Sequence, residues 1–475
     1  MPIRVAVVGG GIAGVTAALE LRDRLHDAEI TLLEAAPQLG GKLGTREVGG
    51  VRVDTGAESM LARRPEGTDL ARRVGLADDV VHPNKVGAAI WTRGALRPMP
   101  PTVMGVPADR AALAASGVLS RSGVLRTRAD VPRALPERDV SVGDFVASRL
   151  GREVVDRLVE PLLGGVYAGH AHRLSLTSAA PQVAALVDGR TRLVAAAAGS
   201  LARTRSAAGG ATTPVFAGIR GGIGRLPDAV AAASGADVVL GATVRELHRT
   251  ADGWRLVHGP TTHPVVLDVD AVVLAVPGAP TARLVGEVAP VAARALREVK
   301  YASMAIVTLA VDPATIDPAL GSGFLVPPVD GRSIKAATFS SRKWGWLEPA
   351  DGGPFVLRTS VGRAGEEALL QRDDHELVEL AMADLAEAAG LRGPLVDAHV
   401  HRWGGALPQY TVGHAERIAT VEDAVARVPG LELCGAAYHG VGIPAVVAGA
   451  RAAAGRVADR WRTTTGAAPQ WTHEH

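Results

Sequence analysis

Hydrophobic and polar positions along this chain switch between the period of a strand and that of a helix. Residues 3–8 are a short apolar run rich in β-branched side chains, suited to a strand buried on both faces. The segment TAALELRDRL, beginning at Thr16, spaces its apolar residues helically, and 28–33 returns as a second buried strand. These pieces predict one βαβ unit. From about 98 to 206 the pattern becomes Ala/Leu/Arg-rich helix broken by Gly and Pro. Strands are expected over 237–240, over 243–248 and 254–258 around an Asp252-Gly253 turn, and as one run over 265–276. Residues 301–311 and 354–361 read as strands of a second sheet, and 373–389 as an uninterrupted amphipathic helix. A strand over 431–434, a glycine-rich turn and a helix over 444–461 close the pattern, and the tail from Gly466 is expected to be disordered.

Length and composition narrow the classes of function. A chain of 475 residues exceeds one hydrophobic core, so two or three domains are expected. With 51 basic and 49 acidic residues the net charge is +2, which excludes a broad nucleic-acid-binding field. Five arginines among apolar residues between 110 and 133 read as solvated helix faces, with peripheral membrane or partner contact as the alternative. The opening residues run directly into a strand, and the longest uncharged stretch, 433–450, holds His439, Pro444 and several glycines. A signal peptide and a transmembrane span are therefore not expected, and a cytoplasmic location is. Cys434 is the only cysteine, so redox chemistry requires a borrowed cofactor.

Gly9-x-Gly11-x-x-Gly14 stands between a predicted strand and helix, the position where a glycine turn admits a pyrophosphate to the helix N-terminus. Glu34 ends the second strand, twenty residues on, where a ribose hydroxyl needs an acceptor. NAD and FAD share this fingerprint. Two features favour FAD: the second glycine turn Gly40-Gly41-Lys42, and the distant segment CGAAYHGVGIPAVVAGARAAAG, whose helix start can face the flavin pyrimidine edge. No nucleophile triad and no metal-spaced His/Cys cluster is evident, so no metal is expected and no general base is singled out.

At these residues the chain resembles the flavin-containing amine oxidase superfamily and, within it, the protoporphyrinogen/coproporphyrinogen oxidases. The segments that carry the resemblance include VVGGGIAG, LLEAAPQLGGK, DTGAESMLARRP, EPLLGGVYAGHAHRLS, SSRKWGW, RWGGALPQYTVGH and GVGIPAVVAGA. The resemblance implies an α/β fold with an FAD-binding Rossmann-like domain of the glutathione-reductase type, drawn from 1–80, 212–285 and 405–475. It implies a mixed-sheet substrate domain over 286–404 and a helical insertion over 95–205. FAD would be held by Gly9, Gly10, Gly11, Ile12, Ala13, Gly14, Glu34, Ala35, Gly41 and Lys42. Gly56, Ala57, Glu58 and Ser59 would follow the ribityl and ring side, Val244 the adenine, Trp403 the ring flank, and Val441, Gly442 and Ile443 the pyrimidine edge. His414 is expected to be structural.

The implied reaction is a six-electron porphyrinogen oxidation in haem biosynthesis, using three O2 and giving three H2O2. Coproporphyrinogen, with four propionates, is expected over protoporphyrinogen, with two, partly because Ala88 stands where eukaryotic-type relatives place an anchoring arginine. Arg63, Arg64, Arg97 and Lys343 are the expected propionate anchors. Contact with a ferrochelatase would pass the product on. An amine oxidase or carotenoid desaturase, and a flavin or porphyrin carrier without turnover, are the rival readings.

Overall fold

The computed structural model describes residues 2–207, 214–350 and 352–465. The expected βαβ unit is present: β1 (Arg4–Val8), α1 (Ile12–Arg24) and β2 (Glu29–Leu33). β1 pairs in parallel with β2 on one side and with Ala271–Leu274 on the other. Asp237–Val239 and Leu431–Leu433 complete a parallel sheet of five strands. Alternation along β1 splits its side chains between two cores. Val5 and Val7 face α1, the helix Arg225–Ser234 and the long helix Ile443–Thr465, whereas Ala6 and Val8 face the helices Pro290–Arg297 and His414–Ala426. The last ten residues lie outside the described part of the chain.

The apolar run expected as one strand over 265–276 is two, Val265–Val269 and Ala271–Leu274. Asp270 separates them because its carboxylate accepts from the Arg4 backbone N–H and side chain, so the chain leaves the hairpin sheet and enters the parallel one.

A second sheet of seven strands runs in the order Leu395–Pro408, Tyr301–Val311, Phe355–Val361, Ile334–Thr338, Gly323–Leu325, Ala89–Thr92 and Ala95–Pro98. Its last two strands come from outside 286–404, so the helical segment begins after Pro98 rather than at 95. One sheet face carries Ala305, Val307, Leu309 and Leu357 and is covered by the helix Asp374–Ala389, whose start bears a capping box between Asp373 and Glu376. The other face carries Met304, Leu325, Ala336, Thr338 and Ser360, which remain part-exposed in mid-sheet. That open face looks toward the parallel-sheet half and the helix Glu160–Tyr167.

The helical segment has its own core, from Val106 to Ala197, locked by a buried ion pair. Arg149 donates to Asp130 at 2.8 Å, and both side chains are almost wholly excluded from water. Asp130 also accepts from the Val194 backbone, tying the helix Val142–Leu150 to Leu193–Ala207. Arg149→Met is expected to cost about 3–5 kcal/mol, because it strands a buried carboxylate. Chemical denaturation would show this as a lower midpoint, and adding Asp130→Asn should recover part of the loss.

Candidate cofactor and substrate site

The glycine loop forms because β1 and α1 meet too closely for side chains. Gly9 adopts a left-handed φ of 109°, and its N–H donates to Leu33 O of the neighbouring strand. A Cβ on Gly14 would fall onto the Gly9 carbonyl, so the helix can lie against the strand end only with glycine there. Gly40 N–H donates to Gly10 O at 2.9 Å, and Gly11 bridges to Gly40, lacing the two glycine turns together. Ile12 and Ala13 open α1 behind them.

Glu34 clamps this region. Its carboxylate accepts from Gly10 N–H at 2.6 Å and Ala36 N–H at 2.7 Å, so the turn at Ala35 is fixed with it. A carboxylate offers about four acceptor sites, which leaves capacity for a ribose hydroxyl. The Ala242 N–H donates to Glu34 O, which brings the neighbouring strand and Val244 to this end of the cradle. Val244 is buried, and its carbonyl accepts from Arg283 at 3.0 Å. Lys42 follows Gly41 half-buried, its ammonium with no hydrogen-bond or ion-pair partner among the described residues. Burial alone pushes its ammonium pKa down.

The second wall is built around 54–59. Trp403 donates its indole N–H to Thr55 O at 2.8 Å, and its ring lies so close to Gly56 that a Cβ there would meet both it and the Lys42 carbonyl. Arg358 donates to Gly56 O at 2.7 Å and to Glu58 at 3.1 Å. Lys343 grips the other oxygen of Glu58, and Ser340 lies near. Burial works against the Glu58 carboxylate, but Lys343 and Arg358 outweigh it and hold the pKa down to about 2. Ala57 and Ser59 flank this knot on the open side. Asp54, by contrast, is pushed up to about 7 by burial while its oxygens accept from Ile223 and Gly224 N–H.

The third wall is the C-terminal glycine segment. Tyr410 donates to Ala436 O and accepts from Gly440 N–H, both at 2.7 Å, and so fixes the approach to Val441, Gly442 and Ile443. Ile443 starts the long helix and is buried beside Met60 and Gly67. His414 stacks on Tyr410 at 3.9 Å, and burial depresses its pKa to about 4, so it is a neutral packing element, as expected.

Two glycine turns, an unpaired lysine, a glycine-lined Trp403 wall and a distal helix start are what an FAD would require of this half. The residues 12–459 match the model of the flavin-containing amine oxidoreductases. The chain belongs to that family. Among flavin amine oxidoreductases it is similar to coproporphyrinogen III oxidase of Mycobacterium tuberculosis, with 38% identity over 94% of this chain and 96% of the relative. The Bacillus subtilis protein of the same name is 30% identical over 93% and 94% of the two chains. A solved structure named putative protoporphyrinogen oxidase, from Exiguobacterium sp. 255-15, superposes with a TM-score of 0.84 at 30% identity, covering 96% of this chain and 99% of that one. The family's cofactor is FAD. Among the described residues no helix is long and apolar enough to cross a membrane.

The four expected anchors do not form one cluster. Lys343 is half of the Glu58 knot. Arg64 pairs with Glu66, and Arg97 donates to the Thr92 and Arg93 carbonyls on an edge strand. Arg63 is exposed and makes no hydrogen bond or ion pair among the described residues. Arg358 escaped the sequence reading, although an arginine inside the apolar run FVLRTSV is a signal, since buried charges are paired.

Two outcomes test this geometry. Gly14→Ala is expected to abolish flavin retention, read as loss of the visible flavin absorbance in purified folded protein. Lys343→Met should move the acid-unfolding midpoint upward. The folded pKa of Glu58 lies below its unfolded value, so its stabilisation is full above the ordinary carboxylate range and disappears as pH falls toward 2. Without Lys343 that loss starts at higher pH.

Proposed function

We propose that this chain oxidises coproporphyrinogen III to coproporphyrin III in haem biosynthesis. The observation that carries the reading is the open face of the seven-stranded sheet. It lies beside the Trp403–Gly56 wall and under the helix Glu160–Tyr167, and we read it as one wall of a slot for a flat tetrapyrrole. The names of the relatives at 30–38% identity support the same substrate. The name of the solved neighbour favours protoporphyrinogen IX as the second reading.

In this reading Gly9–Gly14, Glu34, Ala35, Gly41 and Lys42 hold the dinucleotide phosphates and ribose. Val244 would hold the adenine, 56–59 and Trp403 the ring, and 441–443 its pyrimidine edge. When bound, FAD accepts hydride and passes electrons to dioxygen. The protein's own part is to exclude water and hold the substrate's reacting carbon against the ring. A six-electron oxidation would consume three O2 and yield three H2O2. Arg63 is the propionate anchor at the slot mouth, with Arg64 released from Glu66 to join it. We place the enzyme in the cytoplasm, where its single buried thiol, Cys434, pushed up to about 12, resists oxidation, and where a transient ferrochelatase contact receives the product.

Anaerobic addition of coproporphyrinogen III should bleach the flavin, and admitting air should restore it with porphyrin fluorescence and three O2 consumed per porphyrin. Arg63→Ala should raise KM for coproporphyrinogen more than for protoporphyrinogen. Equal turnover of both porphyrinogens would support the second reading, and no oxygen uptake with either would sink both.

A further inference from the structure

Lys335 and Arg363 are both about 3% exposed, although each carries a charged side chain. Lys335 sits where the register between Ile334–Thr338 and Phe355–Val361 slips, with Ile334 opposite Val361 and Ala336 opposite Ser360. Ile334 turns into the covered core, whereas the Lys335 side chain reaches the open face, its Nζ 3.8 Å from Met304 Sδ. Met304 is the strand partner of Trp403, so the amine stands in the row that leads to the cofactor wall. No carboxylate or carbonyl accepts from Nζ among the described residues. A sulfur is a weak acceptor, and leaving a buried ammonium with nothing better is costly.

Arg363 approaches from the neighbouring strand end, under the helix Glu160–Tyr167, where a Cβ on Gly164 would lie 4.0 Å from its Nε. It donates to Val326 O at 3.1 Å, and Glu366 at 3.6 Å is its one acidic contact. Glu160 is nearby but already accepts from Ala171 N–H and pairs with His170. The charged groups acting on Lys335 are Arg363 and Glu366, with Glu160 and its partner His170 lying behind Arg363, so one carboxylate, Glu366, serves two buried cations. We propose that Lys335, with Arg363 behind it, is an inner carboxylate site of the slot that receives a propionate of the substrate from the side opposite the mouth. This deepens the coproporphyrinogen reading and rests on it: a four-propionate substrate places carboxylates on both sides of the slot, and the anchors named at the mouth serve only one.

The electrostatics agree with that placement. Burial first and Arg363 second push the Lys335 amine down to about 7, so without a ligand it is largely neutral above that pH. An arriving carboxylate restores the ammonium and draws a proton from solvent. Below pH 7 the unliganded fold carries the cost of a buried charge, and that cost fades as pH rises toward the unfolded value of 10.5. Lys335→Met is close in shape and should melt higher than wild type at pH 6.5, with the gain shrinking by pH 10.

The decisive experiment titrates the holoenzyme with coproporphyrin III and with its tetramethyl ester, in one detergent-containing buffer, following porphyrin fluorescence. Lys335→Met is expected to weaken the free acid by about tenfold or more and the ester by less than about twofold, the signature of a lost charge-assisted hydrogen bond. Lys335→Arg should restore most of the affinity for the acid. Calorimetry at pH 8.5 in two buffers of different ionisation heat should show uptake of about one proton by wild type on binding the acid and none by Lys335→Met. Equal weakening of acid and ester, or unchanged acid binding with no difference in proton uptake, overturns the site while leaving the coproporphyrinogen reading intact. A wild-type holoenzyme that binds neither porphyrin overturns both.

Discussion

Glu58 belongs by sequence to the cofactor half, but its two partners belong to the second sheet and the turn beside it. Lys343 and Arg358 lie 285 and 300 residues further along the chain, and both reach the same buried carboxylate. Taking three charges out of water costs far more than a surface pair returns, so such a knot persists only when each charge is matched and hydrogen-bonded. Here Arg358 uses its second nitrogen on Gly56 O, and Trp403 holds Thr55 O from the next strand but one of the same sheet. The consequence is positional. The backbone of 55–58 is pinned to the seven-stranded sheet, so in the proposed function the cofactor edge and the substrate wall would keep a fixed separation. A hydride donor and acceptor held about 3–3.5 Å apart would depend on such fixity.

The cofactor half was legible because its physics is local. A buried strand, a glycine turn and a helix follow within thirty residues, and the pattern of β-branched, glycine and helix-forming positions records all three. The position of Glu34 at the end of the second strand was legible for the same reason, and the structure shows its carboxylate fixing its own loop through Gly10 and Ala36. The second sheet was only half legible. Its central strands read as apolar runs, but its last two strands come from 89–98, and nothing in that stretch tells the reader which distant strand it joins. Asp270 was misread for a related reason: an acidic residue inside VVLDVDAVVLAV looks like alternation until Arg4, 266 residues away, claims its carboxylate.

Anchoring residues were the hardest to infer, since the sequence shows that a cation exists but not whether a neighbour has neutralised it. Lys343 reads as a free lysine in SSRKWGW, and the fold commits it to Glu58. Lys335, eight residues earlier, is not singled out by the sequence, and the fold buries it with no carboxylate at hydrogen-bond distance. The difference lies in the register slip at Ile334, which turns consecutive side chains away from the alternation that sequence patterns assume.

Among the buried and half-buried charges of the described residues, two contrasting sets stand out. Arg149, Glu58, Arg358 and Asp130 meet an opposite charge at hydrogen-bond distance, and each of these pairs joins segments that must not move. Lys42 and Lys335 meet none, and burial depresses the pKa of both. A fold gains nothing in stability from an uncompensated cation, since replacing it with an apolar residue of similar shape would relieve the desolvation cost. Such residues make sense where the missing partner arrives from outside. Lys42 stands at the laced glycine turns, where a pyrophosphate belongs, and Lys335 on the open sheet face, where a carboxylate-bearing tetrapyrrole belongs. In the proposed function the anions that would satisfy these two unpaired lysines are carried by the cofactor and by the substrate.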